Sequence, residues 1–182
     1  WSLAAPTALG QTQNAALDAA ATMATFGKAA GLTGSELVNF SKETVNLSGD
    51  LASFYNTDPA EVVSALGSAL RGESEPMRKF GVLLNDQTLK AEAMALGIYE
   101  GTGALTAQQK VLAAQAAIMK QTGDAQGDFA RTSDGAANQQ RILAANMEQF
   151  QTELGAVFLP VLESVTRLLS SMAGWMRENQ TI

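Results

Sequence analysis

The sequence predicts an all-α protein: an array of short antiparallel helices followed by a long C-terminal helix kinked at a proline. Three observations carry that prediction. Apolar residues recur at steps of three and four along most of the chain. Glycine, proline and capping residues punctuate it at intervals that suit helices joined by short turns. No strand pattern survives, because Gly81-Val-Leu-Leu84, the only short apolar run bounded by turn signals, cannot build a sheet alone.

The elements follow in order. From about Gln11 to Ala30 the chain is alanine-rich, with Leu17, Met23 and Phe26 interspersed, and Gly31 suits the left-handed stop. Leu37, Phe40, Leu47, Leu51 and Phe54 define one stripe on a helix from Gly34 to Tyr55. Asp58-Pro59-Ala60-Glu61 then opens the next helix. Asp58 fits the N-cap, Pro59 the first position, where a missing N–H costs nothing, and Glu61 a capping-box partner. Val62, Val63, Leu66 and Leu70 face inward, and Gly72 ends it. Ser74-Glu75-Pro76 opens a short helix closing at Gly81. Asn85 or Asp86 caps a helix carrying Leu89, Ala93 and Leu96. Thr106-Ala-Gln-Gln109 is a capping box for one running to Gln121, before Gly123.

Ser133 is expected to start the last and longest helix. Leu143, Met147, Phe150, Leu154, Phe158, Val161, Val165, Leu168 and Met172 repeat at about 3.6 residues on average, the helical period. Gly155 and Pro160 interrupt it, and the missing N–H of Pro160 predicts a kink near Ala156. The organisation is therefore a multi-helix array over residues 1–132 and a long amphipathic helix over residues 133–182. The chain starts at Trp1, so it is expected to be a segment of something longer, with any targeting signal outside it.

Composition narrows the chemistry. Without cysteine there is no disulfide, thiolate nucleophile or common structural zinc site. Without histidine, the side chain most often used as a general base is missing. An enzyme is therefore not expected. The net charge is −6, the sequence pI is about 4.6, and no basic run is present, which argues against a phosphate-binding surface. The longest apolar run, Leu154 to Leu162, falls well short of the roughly 20 residues a spanning helix needs, so no bilayer crossing is expected. Abundant alanine buries little area per residue and predicts modest stability.

Each candidate motif has a plainer explanation. Arg71-Gly-Glu-Ser-Glu-Pro-Met-Arg-Lys-Phe-Gly81 has two glycines and basic residues but lacks the Gly-Lys-Ser/Thr of a phosphate loop. It reads as a helix–turn–helix corner with surface ion pairs among Glu73, Glu75, Arg78 and Lys79. Asp124, Asp128 and Asp134 lack the alternating ligands and final glutamate of a calcium loop, and read as helix-start acids. Glu148, Glu153 and Glu163 are spaced as solvated-face charges, with nothing to make them the paired carboxylates of a glycosidase. Asn39-Phe-Ser41 and Asn46-Leu-Ser48 match glycosylation sequons but fall inside a predicted helix. Trp175 reads either as an interfacial anchor or, the reading preferred, as a packing residue whose partner lies outside this segment. No metal or cofactor site is expected.

Several blocks, in the right order over about residues 20 to 170, resemble the conserved core of bacteriophage tail tape measure proteins. The most specific runs from Tyr55 to Asp86 and contains Asp58, Pro59, Glu61, Arg71, Gly72, Glu73, Glu75, Pro76, Phe80 and Gly81. Leu105-Thr-Ala-Gln-Gln-Lys110 follows. Next come Gln126-Gly-Asp-Phe-Ala-Arg-Thr-Ser-Asp134, with Gly127, Asp128 and Phe129, and Ala137-Asn-Gln-Gln-Arg141. Leu154-Gly155 and Leu159-Pro160 close the series. The resemblance implies a structural protein that occupies the tail lumen, helps set tail length, and leaves ahead of the DNA. It implies tail tube protein, tail assembly chaperones and baseplate or tail-tip proteins as partners, with assembly in the bacterial cytoplasm. It carries over no catalytic residue or cofactor, and membrane contact only during infection. Self-association is compatible with the alanine-rich stripes. The class-level alternative is an amphipathic helical protein that inserts into or permeabilises membranes. A fully helical rod of this length would span about 270 Å at ~1.5 Å per residue, yet the glycine-broken helices look like a folded-back array.

Overall fold

Local capping sets the element boundaries in a computed structural model that describes residues 1–178. A 3-10 turn (Ser2–Ala4) leads into α1 (Ala5–Leu9), neither foreseen from the sequence. There follow α2 (Gln13–Ala29), α3 (Gly34–Phe54), α4 (Pro59–Arg71), a 3-10 segment (Glu75–Phe80), α5 (Asp86–Ala95), α6 (Ala107–Gln121), α7 (Asp128–Arg131) and α8 (Ala136–Glu178). Among the described residues there is no strand, and the protein is all-α. The Thr12 hydroxyl accepts the Ala15 N–H at 3.1 Å and the Asn85 carbonyl the Thr88 N–H at 2.9 Å. The Thr106 box is complete. Its hydroxyl accepts the Gln109 N–H at 3.2 Å, and the Gln109 carbonyl accepts the Thr106 N–H at 2.8 Å. These caps satisfy donors that each helix start would otherwise leave open.

The first compact unit spans residues 1–145. In it α2 packs on α3, α3 on α4, and α6 on both α4 and α5. Met23, Val45, Leu51, Leu66, Met77, Ile118 and Phe129 are fully buried between these elements. Phe54, the last member of the expected α3 stripe, is half exposed instead. It lies in the final turn, where its ring meets the edge of Tyr55 at 5.1 Å.

The second unit begins at Asn146 and is the remainder of α8. Two expectations about this helix are corrected. It starts at Ala136 and not at Ser133, because the Ser133 hydroxyl donates back to the Ala130 carbonyl at 3.1 Å inside a preceding turn. Its apolar stripe is exposed, with Met147, Phe158, Val161, Leu168 and Met172 all more than half open to solvent. Finally, it is long and apolar enough to cross a membrane by length and composition, since an 18-residue stretch within Ala136–Arg177 has a mean hydropathy of 1.3. Counting uninterrupted apolar residues missed this, because Glu163 and Arg167 break the run without cancelling the average. Those two side chains pair with each other at 3.3 Å, one helical turn apart. The helix is continuous through Pro160, whose missing N–H leaves the Ala156 carbonyl without its usual donor.

Candidate functional site

The resemblance-bearing residues fall into three groups, two of which meet at the C-terminal end of α3. The first is the corner after α4. The Asp58 carboxylate accepts the Ala60 N–H at 2.8 Å, and Pro59 occupies the first helical position. Glu61 does not close a capping box, a correction to the sequence reading. Its carboxylate accepts instead from the Thr57 hydroxyl and the Lys79 ammonium. A cation outcompetes a backbone N–H for a carboxylate, because a charge-assisted bond is roughly twice as strong as a neutral one. That pairing holds the Glu61 carboxyl below the usual carboxylate range, Lys79 contributing most and Thr57 next.

At the far end of α4, Arg71 donates to Ser68 at 2.9 Å, lies 5.9 Å over the Phe26 ring, and reaches Glu73 at 3.6 Å. Gly72 takes the left-handed stop at φ +100°. Glu75 pairs with Arg78 at 3.2 Å on the exposed side of the 3-10 segment that Pro76 begins. The other side of that segment is the anchor. Met77 and Phe80 are buried, and the Tyr55 hydroxyl donates to the Phe80 carbonyl at 3.0 Å with the two rings edge-on at 5.4 Å. Gly81, at φ +75°, turns the chain under that hydroxyl. The corner is thus knotted around Tyr55, the residue just after α3.

The second group is the α7 turn. Gly127 and Phe129 direct their N–H groups at the Asp50 carboxylate of α3, at 2.8 and 3.2 Å. The acid that caps α7 is therefore Asp50, 77 and 79 residues away in sequence, and not one of the local aspartates expected to do so. Burial raises the Asp50 pKa, and the two N–H bonds only partly offset it. Asp128 accepts from Ser53 at 2.6 Å and faces Arg131 at 3.6 Å. The Phe129 ring is buried against Gly10, where a β-carbon would stand 2.9 Å from Cε2. Gly10 also has φ +62°, so both contact and conformation require glycine there.

The start of α8 closes this junction. Asn138 donates to the Ser53 hydroxyl at 2.8 Å and to the Thr132 hydroxyl at 2.9 Å. Arg141 donates to the carbonyls of Ala52 (3.3 Å) and Thr57 (3.2 Å) and to the Asn56 side chain (2.9 Å). The Ala52 carbonyl also accepts the Thr57 N–H at 2.9 Å, so the guanidinium adds a second bond there and complements the negative end of the α3 dipole. Asn56 itself has φ +51°, a left-handed residue that asparagine tolerates well.

An open depression of about 450 Å³ lies over the junction, lined by Ser53, Asn56, Asp128, Thr132, Asn138 and Arg141 among others. Its polar groups bind one another, and among the described residues no buried side-chain polar atom lacks a partner. The chemistry of the site is that of a fastening. It joins α3, α7 and the start of α8 with charge-assisted bonds.

The third group, Gly155 and Pro160, lies on the exposed part of α8 in the second unit. Asp50 and Ser53 were missed by sequence reasoning, and Tyr55, Asn138 and Arg141 were seen only as parts of blocks. Asn56-Thr57-Asp58-Pro59 was the available signal: an Asn able to turn left-handed, next to a cap, marks a chain reversal worth inspecting.

No protein-family model, curated protein or solved structure matches the chain.

Proposed function

We propose that this chain is a structural segment of a phage tail tape measure protein, occupying the tail lumen and contributing to length control and to release before DNA passage. The observation that carries the reading is α8. At ~1.5 Å per residue its 43 residues make a rod about 65 Å long, and its apolar stripe is uncovered in the isolated chain. Such a helix suits life inside an assembly better than life as a free monomer. The order of resembling blocks supports the same reading. Tail tube, chaperone and baseplate or tail-tip proteins are the proposed partners, and no catalytic step is assigned to the chain.

The fold changes what a ruler segment should measure. If all 182 residues ran as a rod, in-frame deletion would shorten tails by about 270 Å. A unit of 145 residues that stays folded contributes only about 40 Å across. Deleting residues 1–145 alone and measuring tails by electron microscopy is the test. Shortening near 40 Å supports a folded segment in the ruler, and shortening near 220 Å, the rod length of 145 residues, supports one that opens out. Tails of unchanged length would overturn the proposal.

The membrane alternative has one observation in its favour, the hydropathy of α8. Against it stands charge. Between Met147 and Met176, Glu148, Glu153 and Glu163 outnumber the single basic residue, Arg167, so the polar face repels anionic lipid.

A further inference from the structure

The root of α8, residues 136–145, belongs to the first unit, and within it only Asn138 and Ala145 are buried. So little apolar burial leaves the docking of this root to hydrogen bonds. Most of them come from one guanidinium. Nη2 of Arg141 faces three oxygens at the C-terminal end of α3: the carbonyls of Ala52 and Thr57 and the side chain of Asn56. Nη1 turns back to the Asn138 side chain at 2.7 Å. All four acceptors are neutral amide oxygens, and Arg141 takes part in none of the ion pairs among the described residues.

Local chain geometry builds most of this receptor. The left-handed Asn56 reverses the chain after α3, and the Thr57 N–H fixes the reversal by bonding back to the Ala52 carbonyl. Three oxygens thereby converge on one point, where the α3 dipole also concentrates negative charge. Gly10 leaves room for the arginine stem, since a β-carbon there would stand 3.1 Å from Cβ of Arg141. The depression above, lined by Asn56, Asn138 and Arg141 among others, opens the place to solutes. A planar fork reaches acceptors on both sides at once, which the point charge of an ammonium does not. We propose that the C-terminal end of α3 is a guanidinium-binding site, filled from within the chain by Arg141, and that its occupancy docks the root of α8. The root is then held by a group that a free guanidinium ion can replace. The proposal does not depend on the tail reading.

The chain has no cysteine, so a single thiol placed at a buried alanine reports opening. Ala145→Cys reads the root, and Ala65→Cys, in the core face of α4, reads the first unit as a whole. Each is combined with Arg141→Ala, and its reaction with a chromogenic disulfide reagent is timed. The solutions are millimolar guanidinium chloride and methylammonium chloride at equal ionic strength. Arg141→Ala should speed labelling at position 145 by roughly tenfold or more, the factor that a charge-assisted hydrogen bond contributes, and leave position 65 unchanged. Guanidinium should then slow labelling back towards the parent rate, and methylammonium should not. Arg141→Lys keeps the charge without the fork and should label at position 145 faster than the parent. Unchanged labelling in Arg141→Ala, or acceleration at both positions, would overturn the proposal. So would a rescue that guanidinium fails to give or methylammonium matches, or an Arg141→Lys chain as protected as the parent.

Discussion

Replacing Asp50 with alanine removes the acceptor for two half-buried N–H groups while leaving both donors in place. A hydrogen bond to a charged group contributes about 1.5–3 kcal/mol when buried, and leaving a donor unpaired costs a similar amount. Asp50 is only partly buried, and water replaces part of what is lost, so the combined cost is about 2 kcal/mol. For a unit of 145 residues that corresponds to a fall in Tm of roughly 4–8 °C. Trp1 reports the unit, because its indole N–H donates to Asn46 of α3 at 3.0 Å. A Trp175→Phe background leaves Trp1 as the only tryptophan, and urea melts of its fluorescence give the difference. The pH dependence separates this account from simple loss of packing. Burial raises the Asp50 pKa above its unfolded value, so its contribution to stability is fully present below the unfolded pKa and is lost as pH rises through the folded one. The advantage of the parent over Asp50→Asn should therefore shrink as pH climbs out of the acid range. A Tm unchanged in Asp50→Ala, or an advantage that grows with pH, would refute the junction as described.

Gly10→Ala should cost about 1–3 kcal/mol, because the new methyl meets Phe129 at 2.9 Å and the backbone there is left-handed; calorimetry of the variant checks it. Glu61→Gln should abolish a contribution of opposite pH sign. The lowered Glu61 pKa stabilises above the usual glutamate range and is lost as pH falls through the folded value, and because the pair is exposed, added salt should erase the difference in melts. Thr106→Ala should cost about 1 kcal/mol by removing one half of a capping box, with faster amide exchange over the first turn of α6 as the local readout.

What the sequence made legible was whatever is encoded within a few residues. The Thr106 box and the Asp58 cap depend on side chains two or three positions from their targets, the stops at Gly72 and Gly81 on a left-handed glycine, and each lies where the spacing predicted. Asp50 is the opposite case. Mid-helix, with no periodicity of its own, it reads as a solvated acid, and only the fold brings α7 to it. Glu61 shows a third situation: the local rule applied, but Lys79, eighteen residues on, offered a better partner. Such competition between a local and a distant donor is settled by charge, which a capping rule does not weigh.

The same limit explains α8. Periodicity reports which face of a helix must leave water and is silent about what covers it. In residues 1–145 the covering comes from the chain itself, so stripe and core coincide at Phe40, Leu47 and Leu51. Past Asn146 the pattern persists on exposed side chains, Phe158, Val161 and Leu168 among them. The spacing of Phe158, Val161, Val165, Leu168 and Met172 keeps one face of the helix apolar along its length, the pattern of a surface built for burial.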